Sequence, residues 1–340
     1  MKFEAIKRET VILDPGNHMQ RKTIPSEIRV DPLTGRTSRI SHFMPLKWEK
    51  PDLDQLVAGT EKTCPFCPDR VMKVTPCFPE EIVPEGRMVL DDKVLFPNIA
   101  PYESLSACAT LDSRHFIPMH EITASHIVDA FCLAIRFFRR LDEINHPESV
   151  YHLINWNYMP ASGSSLIHPH LQVFASAYAP HLLQEELSCA KTYLQQQGTN
   201  YWDDLVKTEK ADGKRFLGNI GRTSWLTVYA PLGVAGDVMA VVDETNCTLD
   251  LTSKDIEDLA QGLTKLMGAY DKMGVYNFNM NFFTGSRGDD HARFHLVFSP
   301  RTFFNQALGT PDVGALRNLY NEGLCMAFPE EINEQLKSEF

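Results

Sequence analysis

The sequence predicts an α+β protein built from a duplicated unit, with an antiparallel sheet and covering helices in each half. Two observations lead there: each half closes on a histidine-bearing β-rich run, and each such run follows a long amphipathic helix in the same element order. A chain of 340 residues is long for one simple core, and the repeat divides it into residues 1–195 and 196–340.

The first sixty residues read as polar and turn-rich, with Asp31-Pro32-Leu33-Thr34-Gly35 as a tight turn between short strands. From Val94 an apolar run leads to a helix N-capped by Thr123, with Ile127, Phe131, Ala134, Phe138 and Leu141 on one stripe. Residues 151–157 and 166–175 follow as strands around a Pro/Ser/Gly turn at 160–164. The second half repeats the order: strands at 225–229 and 238–242, a helix from about Thr252, then strands at 276–283 and 292–298. That helix carries Ile256, Leu259, Leu263, Leu266 and Tyr270 on one face, with Gly274 where a C-terminal cap belongs.

Hydrophobic residues make up 43% and charged residues 23%, the balance of an ordinary globular protein. A net charge of −11 without a Lys/Arg run repels nucleic acid and anionic membranes, yet local cations and backbone donors can still hold a small phosphorylated ligand. No apolar run has the length of a signal peptide core or a membrane span, so the expected location is the cytoplasm. Eight cysteines, only two of them close together, do not form a disulfide framework and fit a reducing compartment.

On a strand, side chains two apart share a face, which lines up His168, His170 and Gln172 while Leu171 and Val173 face the core. A neutral imidazole can attack phosphorus and form a phosphoramidate that a second nucleophile cleaves. Gln172 could then donate its amide N–H to a phosphate oxygen where charge develops. The preceding Ser162-Gly163-Ser164-Ser165 loop supplies hydroxyls and backbone donors for phosphate. A lone His-x-His is also compatible with a metal site or a surface pair. Cys64-Pro65-Phe66-Cys67 has the spacing of a zinc pair without a second Cys-x-x-Cys, so its other ligands must be histidine or carboxylate. A redox reading is weaker, since no thioredoxin-like strand and helix surround it. His115 and His168 would complete a closed Cys2His2 site, although His115 also reads as a loop histidine like His120 or His126.

Together these residues resemble the galactose-1-phosphate uridylyltransferase family, the two-repeat branch of the histidine-triad superfamily. Residues 25–190 carry the likeness, through Asp31-Pro32-Leu33-Thr34-Gly35, Cys64-x-x-Cys67, Phe96-x-Asn98 and above all His168-Pro169-His170-x-Gln172. The resemblance implies a structural zinc held by Cys64, Cys67, His115 and His168, with His170 as nucleophile and Gln172 as its partner. It implies substrate contacts from Phe96, Asn98, Asn157, Ser164 and Ser165, and Gln172 in place of a final histidine favours transfer over hydrolysis. A second metal in that family makes Glu186 and His295 a further candidate pair. Arg293 occupies a ligand position there, however, and pairing with Glu186 would replace the ion; His291 is the spare histidine nearby.

The implied reaction moves a nucleoside monophosphate, UMP by default, from a nucleotide sugar to a sugar 1-phosphate. The tail from Arg301 to Asn305 departs from the family's hexose-phosphate segment, which makes inorganic phosphate a rival acceptor. A non-catalytic nucleotide-binding protein, a zinc scaffold and a hydrolase are the other readings. The resemblance also implies a homodimer.

Overall fold

A computed structural model describes residues 1–42 and 48–340 of the chain. Three strands come first, Glu4–Asp14 (β1), Gln20–Val30 (β2) and Thr37–Ile40 (β3). The first half of the main sheet contains Met88–Leu90 (β4), Lys93–Pro97 (β5), Leu105–Thr110 (β6), Tyr151–Tyr158 (β7) and His170–Ser176 (β8). The second contains Phe216–Ile220 (β9), Thr223–Thr227 (β10), Val238–Val242 (β11), Phe278–Phe283 (β12) and His295–Pro300 (β13). Phe303–Asn305 (β14) and Thr310–Pro311 (β15) pair with each other, and Gly323–Cys325 (β16) returns to run parallel to β3.

The main sheet has ten strands in the order β4-β5-β6-β8-β7-β12-β13-β11-β10-β9, and each pairing in it is antiparallel. Read outward from the β7–β12 seam, both halves run in the same order, so the sheet has an approximate two-fold axis at that seam. The two covering helices obey the same repeat. Ala124–Glu143 and Ser253–Lys272 each have 20 residues, and each starts with a threonine whose hydroxyl accepts the backbone N–H of the third helical residue. The side chain of that third residue, His126 or Asp255, accepts the threonine's own N–H in return. Gly274 follows the second helix at φ +95°, where a left-handed turn ends a helix at least cost.

Both predicted stripes are buried under one face of the sheet: Phe131, Phe138, Leu259, Leu263 and Leu266 all have no exposure. Burying each of these side chains contributes roughly 2–3 kcal/mol. Leu171, Val173, Ile154, Trp156, Met280 and Leu296 meet them from the strands, which leaves His170, Gln172 and Asn157 on the other face of the sheet.

Two sequence expectations need correction. The strand expected over 166–175 starts only at His170. Pro169 has no N–H for a ladder, and the His168 ring is drawn out of line toward Cys67. Of the two strands beside the Asp31–Gly35 turn, β3 is short at four residues, but β2 has 11 and forms a long hairpin with the 11 residues of β1. The division at 195/196 falls inside the helix His181–Gln197, just before its Gly198 cap. Among the described residues no helix is long and apolar enough to cross a membrane.

Candidate active site and metal centre

Cys64, Cys67, His115 and His168 come together with their ligand atoms all within 4.8 Å of one another, and among the described residues they are the one such group. The Cys67 sulfur lies 3.4 Å from His115 Nδ1 and 3.9 Å from His168 Nδ1, spacings of ligands around one small tetrahedral ion. Hydrogen bonds outside the cluster fix which nitrogen points in. Thr60 donates its hydroxyl proton to Val57 O at 2.6 Å, so its oxygen accepts from His115 Nε2–H at 2.7 Å. His168 Nε2–H donates to Asp112 O at 2.9 Å. Both rings therefore turn an unprotonated Nδ1 inward, as metal-binding histidines do. Burial, then the neighbouring Cys64, push the Cys67 thiol up to about 11. A bound cation reverses that effect by stabilising thiolates, so the donor set suits a metal ion.

Phe66, inside the Cys-x-x-Cys, joins the metal cluster to His170. Its ring meets Phe96 at 5.0 Å and His170 at 5.1 Å, both edge-on. His170 donates Nδ1–H to His168 O at 2.8 Å, which leaves the lone pair on Nε2. Burial lowers the pKa of the ring, so its neutral form is favoured. Among the described residues Nε2 has no protein partner, and it is not among their sealed polar atoms.

The register shows what shares the face with His170. Phe96, Cys108, Gln172 and Asn155 pair in succession across β5, β6, β8 and β7, and Asn155 pairs with Asn281 across the seam. Two residues along from the Asn155–Gln172 pair, Asn157 and His170 lie on this same face. Asn157 accepts from Asn279 at 2.7 Å, and Gln172 donates to the exposed Tyr102 hydroxyl at 3.3 Å. Phe96 lies buried beneath Phe66, while Asn98 accepts the Ala100 N–H with its side-chain oxygen. In the serine loop, Ser164 donates its hydroxyl to Leu166 O at 2.7 Å, Ser165 is exposed, and the Ser162 hydroxyl is buried without a partner among the described residues. Gly163 at φ +87° supplies the left-handed turn that this loop needs.

Comparison with solved structures follows from this geometry. The chain superposes on a GalT-like protein of Arabidopsis thaliana with a TM-score of 0.69 at 17% identity, covering 92% of this chain and 98% of that one. An ADP-glucose phosphorylase of the same plant with bound ADP-glucose gives 0.68 at 16% identity and the same coverage. A uridylyltransferase gives 0.67 at 18%, again over 92% and 98%. The chain has the uridylyltransferase fold. It is also 29% identical over 314 residues to an uncharacterised protein of Archaeoglobus fulgidus, a match that spans 92% of this chain and 91% of that protein. No family model matches.

In the second half of the uridylyltransferase fold, the residue at the His170 position is His295. It donates Nδ1–H to the carbonyl two residues back, Arg293 O, at 3.0 Å. Its Nε2 lies 3.6 Å from Glu186 Oε2, and both atoms are buried without a hydrogen-bond partner among the described residues. Arg293 does not pair with Glu186, as the sequence suggested. Its guanidinium fork instead meets both oxygens of Asp203, the carboxylate the fold places in reach, at 2.9 and 2.8 Å, and Asn246 at 2.6 Å. His291 stays beside Asp290 at 3.6 Å. Glu186 and His295 thus lack a third ligand among the described residues, and this donor pair does not fit a second metal.

Sequence reasoning missed Phe66, Thr60 and Asp112 as supports of the two histidine sites, and Asn279 altogether. Phe66 could have been found, since it lies within the Cys-x-x-Cys. Asn279 lies 122 residues from Asn157, and only the strand order brings them together.

Proposed function

We propose that this protein is a nucleotidyl-transfer enzyme acting on nucleotide sugars through a covalent His170 intermediate. The supporting observation is the His170 ring: its Nδ1 proton is committed to His168 O, its pKa is lowered by burial, and its Nε2 is left without a partner among the described residues. In the first step Nε2 attacks the α-phosphorus, a P–N bond forms, and the bond to the sugar phosphate breaks with its electron pair leaving on that group. In the second step an oxygen of the acceptor phosphate attacks phosphorus, and the P–N bond breaks to return the imidazole. Gln172, Asn157 and Ser165 are the donors we assign to the phosphate oxygens, with Phe96 and Asn98 toward the nucleoside and Ser164 holding the loop. We assign residues 1–195 the nucleophile and the metal centre, and residues 196–340 a supporting half.

Zinc suits the four-ligand cluster, because two thiolates and two imidazoles with no open position make a closed structural site. Such an ion would tie the Cys-x-x-Cys segment, and with it Phe66, against His170. The acceptor is a sugar 1-phosphate in the first reading. Inorganic phosphate is the second, favoured by similarity to a fold neighbour described as a phosphorylase of ADP-glucose. UMP is the expected group, and AMP the alternative that goes with the phosphorylase reading. A homodimer fits the exposed β1–β2 hairpin, where Ile6, Val11, Ile12 and Leu13 are 37–63% exposed; a two-stranded ribbon is marginally stable alone.

Intact-protein mass after exposure to UDP-sugars and ADP-sugars tests the proposal. The expected result is a single nucleoside monophosphate increment that disappears on adding a sugar 1-phosphate or inorganic phosphate, whichever is the acceptor. Binding without any mass increment would overturn it in favour of a non-catalytic nucleotide-binding protein, and nucleoside monophosphate released without an acceptor would mark a hydrolase.

A further inference from the structure

Asn279 belongs to the half of the sheet that lacks the proposed nucleophile. Its side-chain nitrogen lies 2.8 Å from Ser162 O and 2.7 Å from Asn157 Oδ1. A backbone carbonyl only accepts, so the atom of Asn279 facing Ser162 must be its NH2. The second proton of that NH2 needs an acceptor as well, and Asn157 supplies its oxygen. The amide of Asn157 is thereby fixed in one of two orientations. Its own NH2 is turned away from Asn279, and no protein group among the described residues accepts from it. The same NH2 of Asn279 also holds the first serine of the loop that leads to Ser165 and His170.

The two-fold repeat gives a reference for this pair. Across the seam, Asn155 and Asn281 are equivalent positions, which makes Leu153 and Phe283 the counterparts of Asn279 and Asn157. There the sheet has an apolar pair within one hydrophobic cluster. A polar pair on a partly buried sheet surface costs desolvation that leucine and phenylalanine avoid, so folding alone does not call for it.

We infer that Asn279 is a positioning residue for transfer, contributed by the second half, which locks the Asn157 amide as a hydrogen-bond donor toward the α-phosphate of the nucleotide sugar. This rests on the reading of His170 as the nucleophile. A carboxylate at 279 cannot donate, so Asn279→Asp frees Ser162 O and turns the Asn157 NH2 inward. The rate of covalent labelling at saturating nucleotide sugar should then fall on the order of 10²-fold, the usual effect of losing one such donor. Asn279→Leu, copying the apolar pair across the seam, should do the same if the aspartate variant fails to fold.

The deciding measurement is a double-variant cycle with Asn157→Ala. If Asn279 acts through Asn157, the double variant labels no more slowly than Asn157→Ala alone. Wild-type labelling in the Asn279 variants, or losses that multiply in the double variant, would overturn the inference. If the wild type takes no label, the reading of His170 has failed instead. The same cycle is then run on calorimetric affinity for UMP and AMP, where additive losses again reject the role of Asn279.

Discussion

The two halves of the sheet use one backbone device for opposite ends. In each, a histidine at the start of a strand donates Nδ1–H to the carbonyl two residues earlier, at 2.8 Å for His170 and 3.0 Å for His295. What surrounds the other nitrogen differs. His295 is closed in by Trp202 at 4.0 Å, Phe283 at 4.9 Å and Glu186, and its Nε2 is sealed. His170 is walled by Phe66 and keeps its Nε2 unsealed. The floor differs in the same sense: Phe96, Cys108 and Gln172 on one side correspond to Leu226, Met239 and Val297 on the other. Those three apolar residues line a cavity of about 100 Å³ roofed by the Tyr201–Asp212 helix and the Asp31–Thr37 segment. None of those three side chains offers a polar group to a phosphate. A ring orientation can thus be duplicated without duplicating chemistry, because reactivity depends on whether the second nitrogen is reachable and on the donors beside it.

The comparison breaks most sharply on the rings themselves. His170→Ala should reduce covalent labelling by an amount on the order of 10³-fold or more, since the other unprotonated ring nitrogens nearby, those of His115 and His168, face into the four-ligand cluster. His295→Ala should leave labelling intact and cost about 2 kcal/mol in denaturant unfolding, because it empties a buried site. Equal loss of labelling in both variants would show that the halves are not functionally distinct. Next in size is the floor. Gln172→Val makes the first half like the second at this position, and single-turnover labelling should slow on the order of 10²-fold with the fold retained. An unchanged rate would remove Gln172 from the site.

On the opposite face the halves differ in stability rather than in rate. His152 is buried against Phe138 at 4.9 Å, and the repeat places Phe278 at its equivalent. Burial holds His152 down to about 4 from 6.5. Between those values the unfolded chain binds the proton and the folded chain does not, so stability is full above pH 6.5 and is lost as pH falls toward 4. The loss amounts to about 3 kcal/mol for this one ring. His152→Phe should flatten that part of the curve, as urea midpoints from pH 7 to pH 4 would show; a slope equal to wild type would assign the acid sensitivity elsewhere.

Much of this molecule was legible in one dimension. Thr123 and Thr252 marked both long helices because capping is a local event, and the stripes from Ile127 and Ile256 marked their buried faces because helical spacing is local too. Cys64, Cys67, His115 and His168 could be grouped from residue type, since soft thiolates and imidazoles suit one ion. The early end of β8 at His170 could not be read, because the pull of Cys67 on His168 acts from 101 residues away. Nor could the Asp203 partner of Arg293, chosen by which carboxylate the fold places in reach.

The sequence by itself therefore determined the two long helices, the repeat around them and the inventory of reactive groups, which rest on patterns within a few turns of chain. Only the tertiary structure decided which of the two histidines keeps a reachable nitrogen and which asparagine orients which. Those outcomes depend on contacts across the seam and on what roofs each half, and such contacts join distant segments, 122 residues apart for Asn157 and Asn279.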